Sequence, residues 1–218
     1  MNFNLWEKTF IEESFQGNQE GFHYIEGDLP ILLSAPHSVT QQRNGKEKQG
    51  EFLTGPIVMH LQQQLNCHAI FKTNNLMDDA NYDSKSTYRD YIKRKIEDHS
   101  INFLLDFHIM APSRPYNIDL GTGRGKNIRH TQGPLIVNHI RKTLLDHGIN
   151  DVLIDHIFTA GYPHTVSADV SKSCNIFCLQ IEMNWKLLKD LSDSPYFAKI
   201  LDAMKAVIHY LASMEDQS

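Results

Sequence analysis

Strands alternating with amphipathic helices predict an α/β protein built on a largely parallel central sheet. Two observations carry that prediction. Three apolar runs, Pro30–Ala35, Ile101–Ile109 and Cys174–Met183, read as buried strands. Between and after them apolar residues recur at helical spacing, as in Ile57, Leu61 and Leu65 or Ile136, Ile140 and Leu144.

Taken in order, the first 20 residues read as an arm with a short helix, and Gly21–Glu26 alternates like a strand. Gly27-Asp28 then turns into Pro30–Ala35. Residues 41–50 read as a polar loop. A helix follows, with Thr54 as N-cap and Pro56 in its first turn. Cys67–Thr73 is a strand, and Asn74–Ser86 is a polar segment containing Asp78, Asp79, Asn81, Tyr82 and Asp83. The next helix puts Tyr88, Ile92 and Ile96 on one face and Arg89, Lys93 and Glu97 on another, where Arg89 reads either as a solvated side chain or as a substrate contact. Ile101–His108 is a strand that stops on a histidine. Pro112–Pro115 is a loop, and Tyr116–Leu120 a short strand. Thr131 caps a helix that Gly148 ends. Asp151–Phe158 reads as a strand, Gly161–Ser173 as a loop and Cys174–Met183 as a strand. Ser194-Pro195 starts the last helix, striped by Ile200, Met204, Ile208 and Leu211.

The chain has 218 residues, 41% hydrophobic and 22% charged, and no repeat or linker divides it. One domain over residues 1–218 is expected. A formal net charge of -5 gives nonspecific nucleic-acid binding no electrostatic support. Glu7, Glu12 and Glu13 interrupt the apolar residues of the amino terminus, which does not read as a signal peptide. No apolar run approaches the roughly 20 residues that span a bilayer. The cysteines, Cys67, Cys174 and Cys178, are odd in number and without framework spacing, which suits reduced thiols. Cys174 and Cys178 fall in one predicted strand, where residues four apart lie about 13 Å apart, too far to share a metal. The expectation is a soluble, cytoplasmic protein without a membrane partner.

Chemistry concentrates at three strand ends. Residues two apart in a strand share a face, so Asp106 and His108 point the same way. Open α/β sheets place ligands at the carboxyl ends of their strands. His37 follows a strand through Pro36, and Glu51 lies beyond a polar loop that lets it fold back. Zinc in a hydrolase takes three ligands from His, Glu and Asp and leaves a position open, a role His37, Glu51 and His108 suit. Asp106 or a backbone carbonyl would orient an imidazole from behind. Taken singly, such a histidine is more often a satisfied polar residue at a strand end; three strand-end groups of the right types bring the two readings level.

Glu182 shares a face with Gln180 and Asn184, and an acid in so apolar a strand is costly unless paired or functional. A general base beside an activated water is the functional role; a hydrogen-bonded buried carboxylate is the other. Arg114 can clamp a carboxylate or polarise a carbonyl, or be a solvated loop arginine. Gly121-Thr-Gly-Arg-Gly-Lys126 is too short for a phosphate loop, and Asn127 stands where Ser or Thr is expected. No His-Glu-x-x-His or Gly-x-Ser-x-Gly occurs.

Ser34-Ala-Pro-His-Ser38, Asp106-Phe-His108 and Gln180-Ile-Glu182 resemble the signature blocks of the N-formylglutamate amidohydrolase family, related in fold to zinc carboxypeptidases and aspartoacylase. The resemblance spans residues 30–184. It implies a three-layer α/β/α fold of the phosphorylase/hydrolase and zinc-carboxypeptidase type, with a mixed sheet, one Zn2+, and hydrolysis of an amide near a carboxylate. Its zinc ligands would be His37, Glu51 and His108, with Glu182 activating water and protonating the leaving amine. Carboxypeptidases place their glutamate three residues after the first histidine, where this chain has Thr40, so Glu51 substitutes. The family's Asp-x-Asn-Arg motif appears as Asp79-Ala-Asn81-Tyr82, without its arginine. Asn81 and Tyr82 would contact substrate, with Arg89 or Arg114 replacing the arginine. An N-acyl amino acid, a γ-glutamyl amide or a small peptide are the substrates implied. A catalytically idle module that binds a carboxylate or a protein is the alternative.

Overall fold

Four parallel strands at the centre of a mixed sheet carry the side chains of interest. The computed structural model describes residues 2–15, 19–189 and 195–214. Its elements begin with α1 (Phe3–Ile11), β1 (Phe22–Ile25), β2 (Leu29–Ala35), β3 (Gln41–Arg43), β4 (Lys46–Lys48) and α2 (Thr54–Leu65). Next come β5 (Cys67–Lys72), α3 (Thr87–His99), β6 (Phe103–Met110), β7 (Ile118–Gly121) and α4 (Gly133–Asp146). The chain closes with β8 (Val152–Ile154), α5 (Val166–Cys174), β9 (Phe177–Asn184), α6 (Trp185–Leu188) and α7 (Pro195–Ser213).

The seven-stranded sheet runs β1-β5-β2-β6-β9-β7-β8. Strands β5, β2, β6 and β9 are mutually parallel, whereas β1 and β7 pair antiparallel with β5 and β9. Helices cover both faces, so the architecture is a three-layer α/β/α sandwich. The larger core packs Leu33, Leu105, Phe107 and Ile181 with Ile57, Ile140 and Ile208. The smaller core packs Leu32, Leu104 and Cys178 with Tyr88, Ile92, Val166 and Val170.

That smaller core ends partway along the strands. Continuing along the same face, Ser34, Asp106 and Gln180 stand side by side, and His108 stands beside Glu182. One sheet face thus turns from apolar to polar toward the carboxyl ends. The polar half is where the elements leave a cleft.

Several boundaries differ from the sequence reading, each for a local reason. Residues 41–50 are not loop: β3 and β4 form a hairpin whose turn, Asn44-Gly45, has φ of 52° and 72°. Asn-Gly supplies the left-handed pair that a tight hairpin turn demands. Gly161–Ser173 is not all loop, because Thr165 caps α5 through the Ala168 amide and Val166 and Val170 face the core one turn apart. Cys174 therefore ends a helix, and β9 begins at Phe177. The β8 strand stops at Ile154 because Asp155 is left-handed and the Asp119 carboxylate captures the amides of His156, Ile157 and Phe158. Helix α2 has Leu53 rather than Thr54 at its N-cap, since the Thr54 hydroxyl donates back to the Glu51 carbonyl. Helix α4 begins after Gln132 instead of Thr131. Strand β6 runs two residues beyond His108. Ser194 lies outside the described residues.

The largest correction concerns Arg89. It is not on a wet face but 2% exposed. Its guanidinium donates to the carbonyls of Ala80, Asp83, Ser84 and His164 and, through Nε, to the Asp169 carboxylate at 2.8 Å. All five N–H groups are thereby used, and α3, α5 and the 80–84 segment are locked together. Burial alone would raise the Asp169 carboxyl, but Lys93 and Arg89 hold it below its ordinary value. Lys93 would still pair with Asp169, but the carbonyls of Ala80, Asp83, Ser84 and His164 would lose their donor, so Arg89→Met should cost about 3–5 kcal/mol in urea unfolding at neutral pH. A depressed carboxyl stabilises above its unfolded value of about 3.9 and loses that contribution as pH falls through its folded one. The stability gap between wild type and Asp169→Asn should accordingly be full at neutral pH and shrink in acid; a gap independent of pH would refute the ion pair's part in it.

Candidate active site

Two features fix the entry to the cleft. The Tyr88 hydroxyl, buried on α3, donates to the Ile70 carbonyl and meets Ser34 Oγ at 3.0 Å and the Ala35 amide at 3.2 Å. It pins the end of β2, from which Pro36 turns the chain to a buried His37. The hairpin then makes its excursion, and the Glu51 amide closes it by donating to the His37 carbonyl at 2.7 Å. Glu51 Oε2 accepts from the Ile109 amide at 2.9 Å, which anchors the carboxylate at the end of β6 beside His108.

Both imidazoles are held in the same manner. His37 Nε2 lies 2.9 Å from Asp79 Oδ1, and His108 Nε2 lies 3.2 Å from Asp106 Oδ2. With Nε2 engaged by a buried carboxylate, Nδ1 is the nitrogen that each ring turns inward. Both Nδ1 atoms face Glu51, at 3.0 Å from Oε1 and Oε2 respectively. Burial disfavours a charged His108, but Asp106 and Glu51 raise its pKa well above the ordinary value. Burial likewise opposes ionised Glu51, and His37 and His108 hold it well below the carboxylate range. Asp79 is kept low against its burial by His37 and Arg43.

The donor set suits a borderline cation. One ligand atom from each of His37, Glu51 and His108 lies within 4.8 Å of the others. Two imidazole nitrogens and a carboxylate, with one side open to the cleft, form a set that zinc accepts. Positive charge is already drawn there: Lys48 Nζ sits 3.2 Å from His37 Nδ1 and 3.4 Å from Glu51 Oε1. Of the remaining predicted residues, Glu182 is 6% exposed, accepts from Gln180 Nε2 at 2.9 Å, and lines the same cleft of about 530 Å³. Burial, with Glu51 and Asp106 adding to it and His108 opposing, pushes its carboxyl up to about 8. Arg114 also lines the cleft, and Asn184 holds its loop by donating to the carbonyls of Arg114 and Tyr116. Asn81 and Tyr82 line it too, Asn81 fixed by accepting from the Val166 amide at 2.6 Å. Arg89 does not reach it, and its donors are fully committed elsewhere.

Sequence reasoning missed Asp79 as the partner of His37, and Arg43 and Lys48 in the cleft wall. Arg43 bonds Asp79 Oδ2 at 2.8 Å through Nε and lays its guanidinium 4.5 Å from the Tyr82 ring centroid. An arginine therefore stands over the position where the resembling motif lacks one, supplied by the hairpin. The Asn-Gly turn was the available signal for that hairpin. The Gly121–Lys126 segment offers no phosphate cradle: the amides of Gly123, Gly125, Lys126 and Asn127 are all spent within the loop or on Thr159. Burial raises the thiols of Cys67, to about 12, and of Cys174 and Cys178, which leaves none activated.

No family model matches the sequence. None of the curated proteins matches it either. Solved structures do share its fold. An N-formylglutamate amidohydrolase from Ralstonia eutropha JMP134 aligns over 89% of this chain and 98% of its own, at a TM-score of 0.60 and 14% identity. A bacteriophage poly-γ-glutamate hydrolase aligns over 93% and 95%, at 0.61 and 12%. A metallo-carboxypeptidase from Pseudomonas aeruginosa aligns over 89% of this chain but 60% of its own, at 0.52 and 14%. The fold is that of the N-formylglutamate amidohydrolase and carboxypeptidase structures. Among the described residues no helix is long and apolar enough to cross a membrane.

Removing a partner behind a ligating imidazole loosens its tautomer and orientation. Asp79→Asn and Asp106→Asn should each weaken zinc binding by about 10–100-fold in calorimetric titration. Unchanged affinity in both would mean that the imidazoles do not bind through Nδ1.

Proposed function

We propose that the protein is a zinc-dependent hydrolase of amide bonds, with His37, Glu51 and His108 as metal ligands. The observation that carries this reading is the convergence of two carboxylate-backed imidazoles and Glu51 beside a buried, proton-hungry Glu182. When bound, zinc would lower the pKa of a water and polarise the amide carbonyl. Glu182 takes a proton from the attacking water and returns it to the leaving nitrogen. Arg114 lines the same cleft and donates to the carbonyl oxygen as negative charge develops on it. Asn81 and Tyr82 form the substrate wall.

Arg43 reads a substrate carboxylate. Asp79 engages the Nε and Nη2 edge of its guanidinium and Tyr82 packs against the plane, which pre-orients the fork while leaving Nη1 for a ligand. This supports an amide flanked by a carboxylate, the chemistry named for the two hydrolases of like fold, N-formylglutamate and poly-γ-glutamate. It also removes the feature that favoured an idle binding module, since a cation does occupy the place beside Tyr82.

Glu182→Gln should keep zinc but lose about 10²–10⁴ in kcat. Because a base must be unprotonated, wild-type kcat/KM should rise with pH along a limb that the variant lacks. A nearby dication favours the carboxylate, so that limb lies between the ordinary glutamate value of about 4.3 and the 8 set by burial. Full activity in Glu182→Gln, with zinc loaded, would sink its role as base.

A further inference from the structure

A second cavity of about 850 Å³, larger than the catalytic cleft, opens between α3, α5 and the 123–129 loop. Its charge is out of keeping with the chain. Seven of the 21 lysines and arginines line it, but only two of the 26 acids, on a molecule of net charge -5. Asp169 and Asp90 are already paired with Arg89 and Lys93. Lys85, Arg124, Lys126, Arg129 and Lys172 remain, and none has an ion pair among the described residues. Five unpaired cations facing one cavity repel each other and raise the local potential, which a polyanion relieves.

The wall that carries them is rigid. Asn127, 4% exposed, donates to the Ala160 carbonyl at 2.9 Å, and its own carbonyl accepts from the Cys178 amide at 2.8 Å. The Asp155 carboxylate binds both the amide and the hydroxyl of Thr122. Arg124 sits at φ 55° between Gly123 and Gly125, so a fixed backbone turn holds it outward. The cations are spread around the walls and, with the loop amides spent internally, there is no cradle for a single phosphate. Among the described lining residues the one ring is the His164 imidazole, which meets Tyr162 edge-on, and no Phe, Tyr or Trp is there to stack a base. Separated side-chain charges match a ligand whose own charges are spaced along a chain.

The cavity also adjoins the cleft: Thr159 and Gly161 line both. We infer that the basic cavity is a subsite for a carboxylate-rich chain, so that the substrate is an acidic oligomer whose scissile amide lies at Glu182 while its following carboxylates run past Thr159 and Gly161 to Lys126 and Lys172. This rests on the amide-hydrolase reading for the position of the scissile bond, but the binding itself does not.

The test is fluorescence anisotropy with a fluorescein-labelled glutamate oligomer of about ten residues, α-linked or γ-linked, long enough at roughly 3.5 Å per residue to span both cavities. Wild type should bind it, and more weakly as salt rises from about 50 to 300 mM and the Debye length shortens. Charge reversal at three exposed positions, Arg124→Glu, Lys126→Glu and Lys172→Glu together, should weaken binding by at least roughly tenfold, a change of about 1.4 kcal/mol. The same variant should keep zinc content, thermal unfolding and the rate on an N-acyl amino acid bearing one carboxylate, while KM for the oligomer rises. The double neutral variant Arg124→Ala with Lys126→Ala should fall between the two. Equal affinity in wild type and triple variant overturns the subsite, as does tighter competition by inorganic pyrophosphate than by the oligomer. Oligomer binding that is lost in the triple variant, without cleavage of any amide by wild type, overturns the hydrolase reading and leaves the anion subsite standing.

Discussion

Acidic groups gathered in one buried place are the constraint on which the rest depends. Glu51, Asp79, Asp106 and Glu182 all lie at the polar end of one sheet face, and Asp79 and Asp106 are fully buried. Such charges are tolerable only when hydrogen-bonded and paired. Part of the compensation is visible in the two imidazole protons, in Arg43 on Asp79 and in Lys48 on Glu51. The geometry directs the remainder: each Nε2 faces outward to an aspartate, so both Nδ1 atoms point inward at one carboxylate. That set, two imidazole nitrogens and a carboxylate turned toward one point, suits a cation. The hairpin, the loop closure at Glu51 and the pinning of β2 by Tyr88 all serve to keep it assembled.

The same constraint explains what was legible in the sequence. Strands β2, β6 and β9 were legible because each is a run of apolar residues interrupted by a group that has no reason to be buried. Asp106, His108 and Glu182 announce themselves by where they stand. Glu51 was legible only as an acid after a flexible loop, and the structure supplies the bond to His37 that makes the loop a closed excursion. Asp79 was not legible as the partner of His37, because the pairing joins residues 42 positions apart through the fold and no local pattern encodes it. Arg43 was hidden by reading the hairpin as loop.

Arg89 was misread for a more general reason. Helical periodicity assigns faces by polarity, and an arginine beside Lys93 and Glu97 falls on the polar face. Yet α3 has a second packed side, against α5 and the 80–84 segment, and there the requirement is for donors rather than apolar area. Four backbone carbonyls left over by irregular chain need N–H groups, and a guanidinium supplies five in a fixed fork. Periodicity cannot distinguish a polar face in water from one buried against unpaired carbonyls.

That clamp gives the two cavities a common wall. The segment it fixes carries Asn81 and Tyr82 toward the cleft and Ser84 and Lys85 toward the basic cavity. The segment before α5, fixed by the same guanidinium through the His164 carbonyl, contributes Gly161 to both. Cations with work to do on a ligand have to be kept off the protein's own acids. Here Arg89 and Lys93 spend themselves on Asp169, and the outer five have no ion pair among the described residues around a polar space. The charge pattern therefore has two poles joined by one seam: an acidic pole whose donor set suits a cation, and a basic pole whose charge suits an anionic chain.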